Sequence, residues 1–143
     1  MFIDGPGAGL QLATPSRVLD TRHGTGGWIG LPTVFQQLTV HPTGAPADAV
    51  AYLYTLTSTR SVGNGWVLSW PCTQPRPTVS VLNLVPGSSV ANSTASVPDT
   101  CVAASNGAHL IADLAGWFVP MPSPARSAMR CAPLDAATHV SGT

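Results

Sequence analysis

The chain reads as a series of short runs in which apolar residues alternate with polar ones or stand together. Gly, Pro or Asn ends most of these runs. Residues 49–57, Ala-Val-Ala-Tyr-Leu-Tyr-Thr-Leu-Thr, are the longest β-rich run. Its polar alternation is slight, which predicts a central strand covered on both faces. Residues 78–84 begin by alternating polar and apolar side chains, the pattern of a strand with one face on a core. Further strands are predicted at 17–21, 34–40, 65–70, 89–96, 100–104 and 109–118, with a shorter one at 10–12. Turn signals separate them: Pro42-Thr43-Gly44, Gly63-Asn64-Gly65, Pro86-Gly87 and Asn106-Gly107. This spacing predicts an all-β fold, an antiparallel β-sandwich of the jelly-roll kind.

The pattern weakens at both ends. Residues 1–14 carry Gly5, Gly7 and Gly9 and are expected to form an irregular N-terminal arm. The sandwich domain is expected over residues 15–118. Residues 119–143 are a Pro-rich C-terminal tail or arm, with Pro120, Pro122 and Pro124 at alternate positions. Within it, Ser123 and Pro124 fit the start of a short helix that Pro133 would end.

Composition sharpens this picture. The chain of 143 residues fits one domain, large enough to fold without a metal or a disulfide. Charged residues are only 8%, against about a quarter in ordinary domains. There is no Lys and no Glu, so two good surface-helix formers are missing. The formal net charge is +0, which favours association between copies and gives no pull toward nucleic acid or an anionic membrane. No apolar run is long enough to cross a bilayer as a helix. The first residues have neither a basic nor an apolar signal region, so no signal peptide is expected. Three cysteines, Cys72, Cys101 and Cys131, fit no zinc spacing. One bridge with one free thiol, or three free thiols, both suit that count.

Against this neutral background, Arg17-Val18-Leu19-Asp20-Thr21-Arg22 is dense in charge. Val18 and Leu19 place the segment beside a core, where charges are tolerated only when paired and hydrogen-bonded. Asp20 and Asp113 could be drawn as a glycosidase pair. The reading preferred is structural: both carboxylates pair with Arg17, Arg22 or Arg76, or accept backbone N–H groups, with Asp113 buried. Asn83 and Asn92 are read as bonding loop backbone. The glycine cluster at 24–27 is followed by neither Lys nor a helix, so it is a turn and not a phosphate loop. His23, His41, His109 and His139 lack metal-ligand spacing, and no Gly-x-Ser-x-Gly elbow exists. No metal, cofactor or catalytic site is predicted. Of the four tryptophans, Trp66 and Trp117 are read as core. Trp28, in a loop, is read as exposed and as the one candidate glycan contact.

Taken in order, these pieces resemble a module of actinobacterial secreted proteins and of virion proteins from phages that infect those bacteria. The resemblance rests on Arg17-Val18-Leu19-Asp20-Thr21-Arg22 with its glycine loop, residues 49–57, and Trp70-Pro71-Cys72. It continues through Arg76-Pro77-Thr78-Val79-Ser80-Val81-Leu82-Asn83, Ala91-Asn92, and His109 to Phe118. It covers about residues 15–118. Leu53 departs from it, since that module usually has Asn there.

The resemblance implies a β-sandwich without enzymatic activity. It also implies a bridge between Cys72 and Cys101, positions where the module often carries cysteine, with Cys131 left out. Both cysteines sit at predicted strand ends. The functional expectation is a structural protein of an actinobacteriophage virion, a capsid decoration or similar surface component. It would associate with itself, as a trimer by analogy with capsid three-fold sites, and with the major capsid or other virion proteins. The alternative is a cell-surface module of a secreted actinobacterial protein that binds cell-wall glycan. Neither reading calls for nucleic acid or a membrane.

Overall fold

A computed structural model describes residues 7–121. It is all-β, with no helix among the described residues. Eight strands form two antiparallel sheets of four. They are β1 (Ala8–Asp20), β2 (Leu38–Val40), β3 (Ala51–Thr59), β4 (Gly65–Pro71), β5 (Leu82–Leu84), β6 (Val90–Ser96), β7 (Thr100–Ala104) and β8 (His109–Pro120). The first sheet has the order β1-β8-β3-β6 and the second β2-β7-β4-β5. The first strand pairs with the last, the second with the seventh, the third with the sixth and the fourth with the fifth.

Alternation puts one set of side chains from each sheet into a shared core. Tyr54, Leu56, Ala112 and Leu114 come from the first sheet, and Leu38, Val67, Leu84 and Val102 from the second. The two sheets differ on their outer faces. On the second, Leu68, Trp70, Cys101 and Ala103 form a smaller core against Phe35 and Cys72 from the flanking loops. Strand β7 is therefore buried along its whole length. On the first, no loop among the described residues gives comparable cover, and β3 alternates between buried and half-buried positions. The expectation that this strand is covered on both faces is corrected accordingly.

Other boundaries differ from the sequence pattern. Strand β1 begins at Ala8, so the short strand expected at 10–12 is longer and continues into the one expected at 17–21; residues 8–12 pair with the far end of β8, and the ladder is irregular between Leu12 and Ser16. Strand β8 runs on to Pro120. Of residues 34–40 only Leu38–Val40 are strand, and of residues 78–84 only Leu82–Leu84. The rest of those two runs lies in the loops flanking the second sheet. The proposed helix near Pro124 lies outside the described residues, as do Cys131 and His139.

Candidate functional site

The charged segment closes the first sheet. Strand β1 places Arg17 opposite Asp113 of β8. Arg17 donates through Nε to Asp113 Oδ1 at 2.9 Å and through Nη2 to Oδ2 at 3.3 Å. Its Nη1 reaches Asp20 Oδ2 at 3.4 Å. Arg22 holds Asp20 from the other side, with its backbone N–H and Nε on Oδ1 and its Nη2 on Oδ2 at 2.8 Å. Asp20 is 1% exposed. Hydrogen bonds from the Arg22 side chain, ahead of its positive charge, hold the Asp20 carboxyl down at about 2. The glycine loop packs over this clamp. Asp20 N–H donates to Thr25 O, and Gly26 sits at φ 86° with no room for a side chain. A Cβ there would lie 2.5 Å from Val18 O.

Asp113 is only half-buried, not buried as its apolar neighbours suggest, because it lies on the outer face of the sheet. Arg76 does not join the clamp. Its guanidinium stacks over the Phe35 ring at 4.1 Å, on the outer face of the second sheet. Asn92 does bond loop backbone: Nδ2 donates to Val81 O at 2.8 Å, while its Oδ1 accepts Ser93 N–H at 2.9 Å. Asn83 is exposed on β5 and makes no side-chain hydrogen bond among the described residues. Cys72 and Cys101 lie at disulfide distance, Cα to Cα 5.0 Å, tying the loop after β4 to β7.

Two groups resemble catalytic parts without being placed to act as such. Thr21 Oγ1 lies 2.8 Å from His109 Nδ1 and accepts Leu110 N–H at 3.1 Å. Either atom of the Thr21–His109 pair can donate, since the hydroxyl has a second lone pair free after accepting Leu110 N–H. Burial, reinforced by Arg60 and Arg22, lowers the His109 pKa. Thr21 is 0% exposed, so its hydroxyl meets no substrate and instead locks β1 to β8. The carboxylates Asp20 and Asp113 are both held by Arg17. The apolar crevice beside Leu19, Leu56, Leu82, Val102 and Leu110 is too tight to admit a water molecule. Among the described residues no three His, Cys, Asp or Glu side chains gather as metal ligands would.

The tryptophans are arranged differently from expectation. Trp28 is half-buried against the core with Nε1–H on Gly30 O at 3.1 Å. Trp66, read as core, is 45% exposed. It sits on the outer face of β4, beyond the loops that cover Leu68 and Trp70. Trp117 packs on the core and donates Nε1–H to Gln11 Oε1.

Among the described residues no loop packs across the apolar end of the outer face of the first sheet, and register orders that face into rows. Leu10, Phe118 and Ala51 form one, and Leu12, Gly116, Leu53 and Ala95 the next. Then come Arg17, Asp113, Thr55 and Ser93, followed by Asp20, Ile111, Thr57 and Ala91. One end is thus apolar, with Leu12 75% exposed, and the other carries the neutralised clamp and a band of hydroxyls. Leu53, the departure from the resembled module, lies in the apolar end.

No protein-family model, no curated protein and no solved structure matches the chain.

Proposed function

We propose that this chain is a non-enzymatic structural protein of an actinobacteriophage virion, a decoration component of the capsid surface. The observation that carries the reading is the order of strand pairing. A ribbon that pairs first strand with last and fourth with fifth, with successive pairs alternating between two sheets, supports a jelly-roll reading of the sandwich. Jelly-roll sandwiches recur in viral capsid proteins and in lectins. The step from fold to role is analogy, joined to the resemblance carried by the Arg17–Arg22 segment.

The bare outer face of the first sheet supports association. Its Leu10, Leu12 and Leu53 present apolar area, and its two Arg and two Asp side chains cancel one another. With a formal charge of +0, copies do not repel. The partners are therefore other copies, in the trimer expected at a capsid three-fold site, and the major capsid protein.

A second reading, a glycan-binding module of a secreted actinobacterial protein, is favoured by the cysteine pair. Disulfides belong to oxidising compartments, and in a cytosol the bridge would form only after release. Mass spectrometry of purified particles and of the bacterial surface fraction tests the choice. Peptides of this chain in fixed ratio to the major capsid protein support the virion reading. Their recovery from the cell surface alone overturns it.

A further inference from the structure

We propose that Trp66, with Asn83 and Ser105 beside it, is a stacking platform for a neutral saccharide. This goes beyond the structural role above and does not depend on where the chain resides.

The platform follows from the β4 sequence. Val67 enters the shared core, so Trp66, Leu68 and Trp70 point to the opposite face. The loops that carry Phe35 and Cys72 cover Leu68 and Trp70 and leave Trp66 45% exposed. The backbone beneath the ring is held from one side by Ser105. Trp66 N–H donates to Ser105 Oγ at 2.9 Å, and Ser105 N–H donates to Trp66 O at 2.9 Å. Gly65 makes this possible, since a Cβ there would lie 2.4 Å from Ser105 Oγ. On the other side, Asn83 of β5 stands directly opposite Trp66. Opposed strand residues hold their Cβ atoms about 5 Å apart, which sets the amide at the rim of the ring. Asn64 is exposed just before the strand, and its carbonyl accepts Asn106 Nδ2–H at 3.3 Å, which ties the two neighbouring turns together.

The chemistry selects the ligand. An exposed indole offers apolar area with little conformational entropy to lose. A pyranose offers a matching face of C–H groups bordered by hydroxyls. The Asn83 amide has donors and an acceptor free to meet those hydroxyls. Asn83, Ser105 and Asn64 are all uncharged, so nothing there compensates a carboxylate or sulfate. Single-stranded nucleic acid also stacks on aromatics, but it needs a basic groove to follow its backbone. Arg76, a cation on this face, is engaged on Phe35.

The test is a titration of the full chain with cellohexaose, mannohexaose and laminarihexaose, and separately with heparin and oligo-dT. The indole N–H resonances of the four tryptophans are followed by NMR. One neutral hexasaccharide is expected to shift the Trp66 resonance saturably, with Trp28, Trp70 and Trp117 little moved. Trp66→Ala should weaken binding about tenfold or more, as truncating a central Trp contact does. Trp66→Phe should retain part of it, and Asn83→Ala should weaken it with the amide spectrum otherwise unchanged. Three results would overturn the proposal: no shift with any neutral sugar, a shift that survives Trp66→Ala, or Trp66 responding only to heparin or oligo-dT. None of these bears on whether the chain is found in particles, so the virion reading stands or falls separately.

Discussion

Replacing Asp20 by Asn tests the clamp that joins β1 to β8. The side chain keeps its shape and loses its charge. Asn Oδ1 can still accept Arg22 N–H, but its amide N–H₂ then faces Arg22 Nη2 and Arg17 Nη1, donor against donor. A carboxyl whose pKa falls from 3.8 to about 2 on folding contributes about 2 kcal/mol at neutral pH. The misplaced amide adds to the loss, while Arg17 and Arg22 recover part of it by turning to water. The expected cost is about 2 to 3 kcal/mol at pH 7. The pH dependence is specific. Asp20 is depressed on folding, so its contribution is complete above 3.8 and disappears as pH falls from there through about 2. Urea denaturation of wild type and variant from neutral to strongly acid pH gives both stabilities. The gap should be widest at neutral pH and close in acid. Equal stabilities at pH 7, or a gap unchanged at the acid end, would refute the electrostatic account.

Three further outcomes are expected. Tyr54 is 0% exposed and its hydroxyl lacks a hydrogen-bond partner among the described residues, so Tyr54→Phe should leave stability unchanged or raise it by about 1 kcal/mol, measured by thermal denaturation. Asn92→Ala removes the bond to Val81 O and bares Ser93 N–H on the edge strand β6. It should cost about 1 to 2 kcal/mol and promote strand-edge aggregation, seen by light scattering. Reducing the Cys72–Cys101 pair opens a loop spanning 29 positions and should cost roughly 3 to 4 kcal/mol by denaturation with and without reductant. Alkylation of the unreduced, unfolded protein should label Cys131 and spare the other two; labelling of all three would show no bridge.

Local signals made much of this fold legible. The turns around Asn64 and Asn106 and the apolar runs after them place β4 and β8 within two residues of their expected ends. Charge scarcity made the Arg17–Arg22 segment stand out, and its pairing with Asp20 is local. The choice of Arg17 as the partner of Asp113 spans 96 positions and depends on register. A bulge between Arg17 and Leu19 sets that register, and no single stretch of sequence encodes it. Arg76 misled for a related reason: its loop folds to the opposite sheet. The run Gly-Trp-Val-Leu-Ser-Trp looks buried on both faces, and at Leu68 and Trp70 it is. Trp66 lies outside because the covering loops end short of it, which residue type alone does not reveal. Gly7 and Gly9 make the start of the chain read as irregular, with only 10–12 read as strand, yet pairing with β8 begins at Ala8 and overrides local propensity.

The clamp and the neutrality of the chain are parts of one arrangement. Arg17, Asp20, Arg22 and Asp113 are half of the Arg and Asp residues between positions 7 and 121. Arg17 and Asp113 join the first strand to the last, the contact that closes the longest loop among the strand pairs, and Asp20 and Arg22 pair locally beside them. Internal pairing leaves them little field to project. The surface is then shaped by hydroxyls, amides, small apolar side chains and one exposed indole. Such a surface does not steer partners from a distance. On the two proposals made above, recognition is by fit, with apolar area at Leu10, Leu12 and Leu53 and with stacking and amide hydrogen bonds at Trp66 and Asn83. Those two sets lie on outer faces of different sheets, so a copy seated on the first leaves the second open.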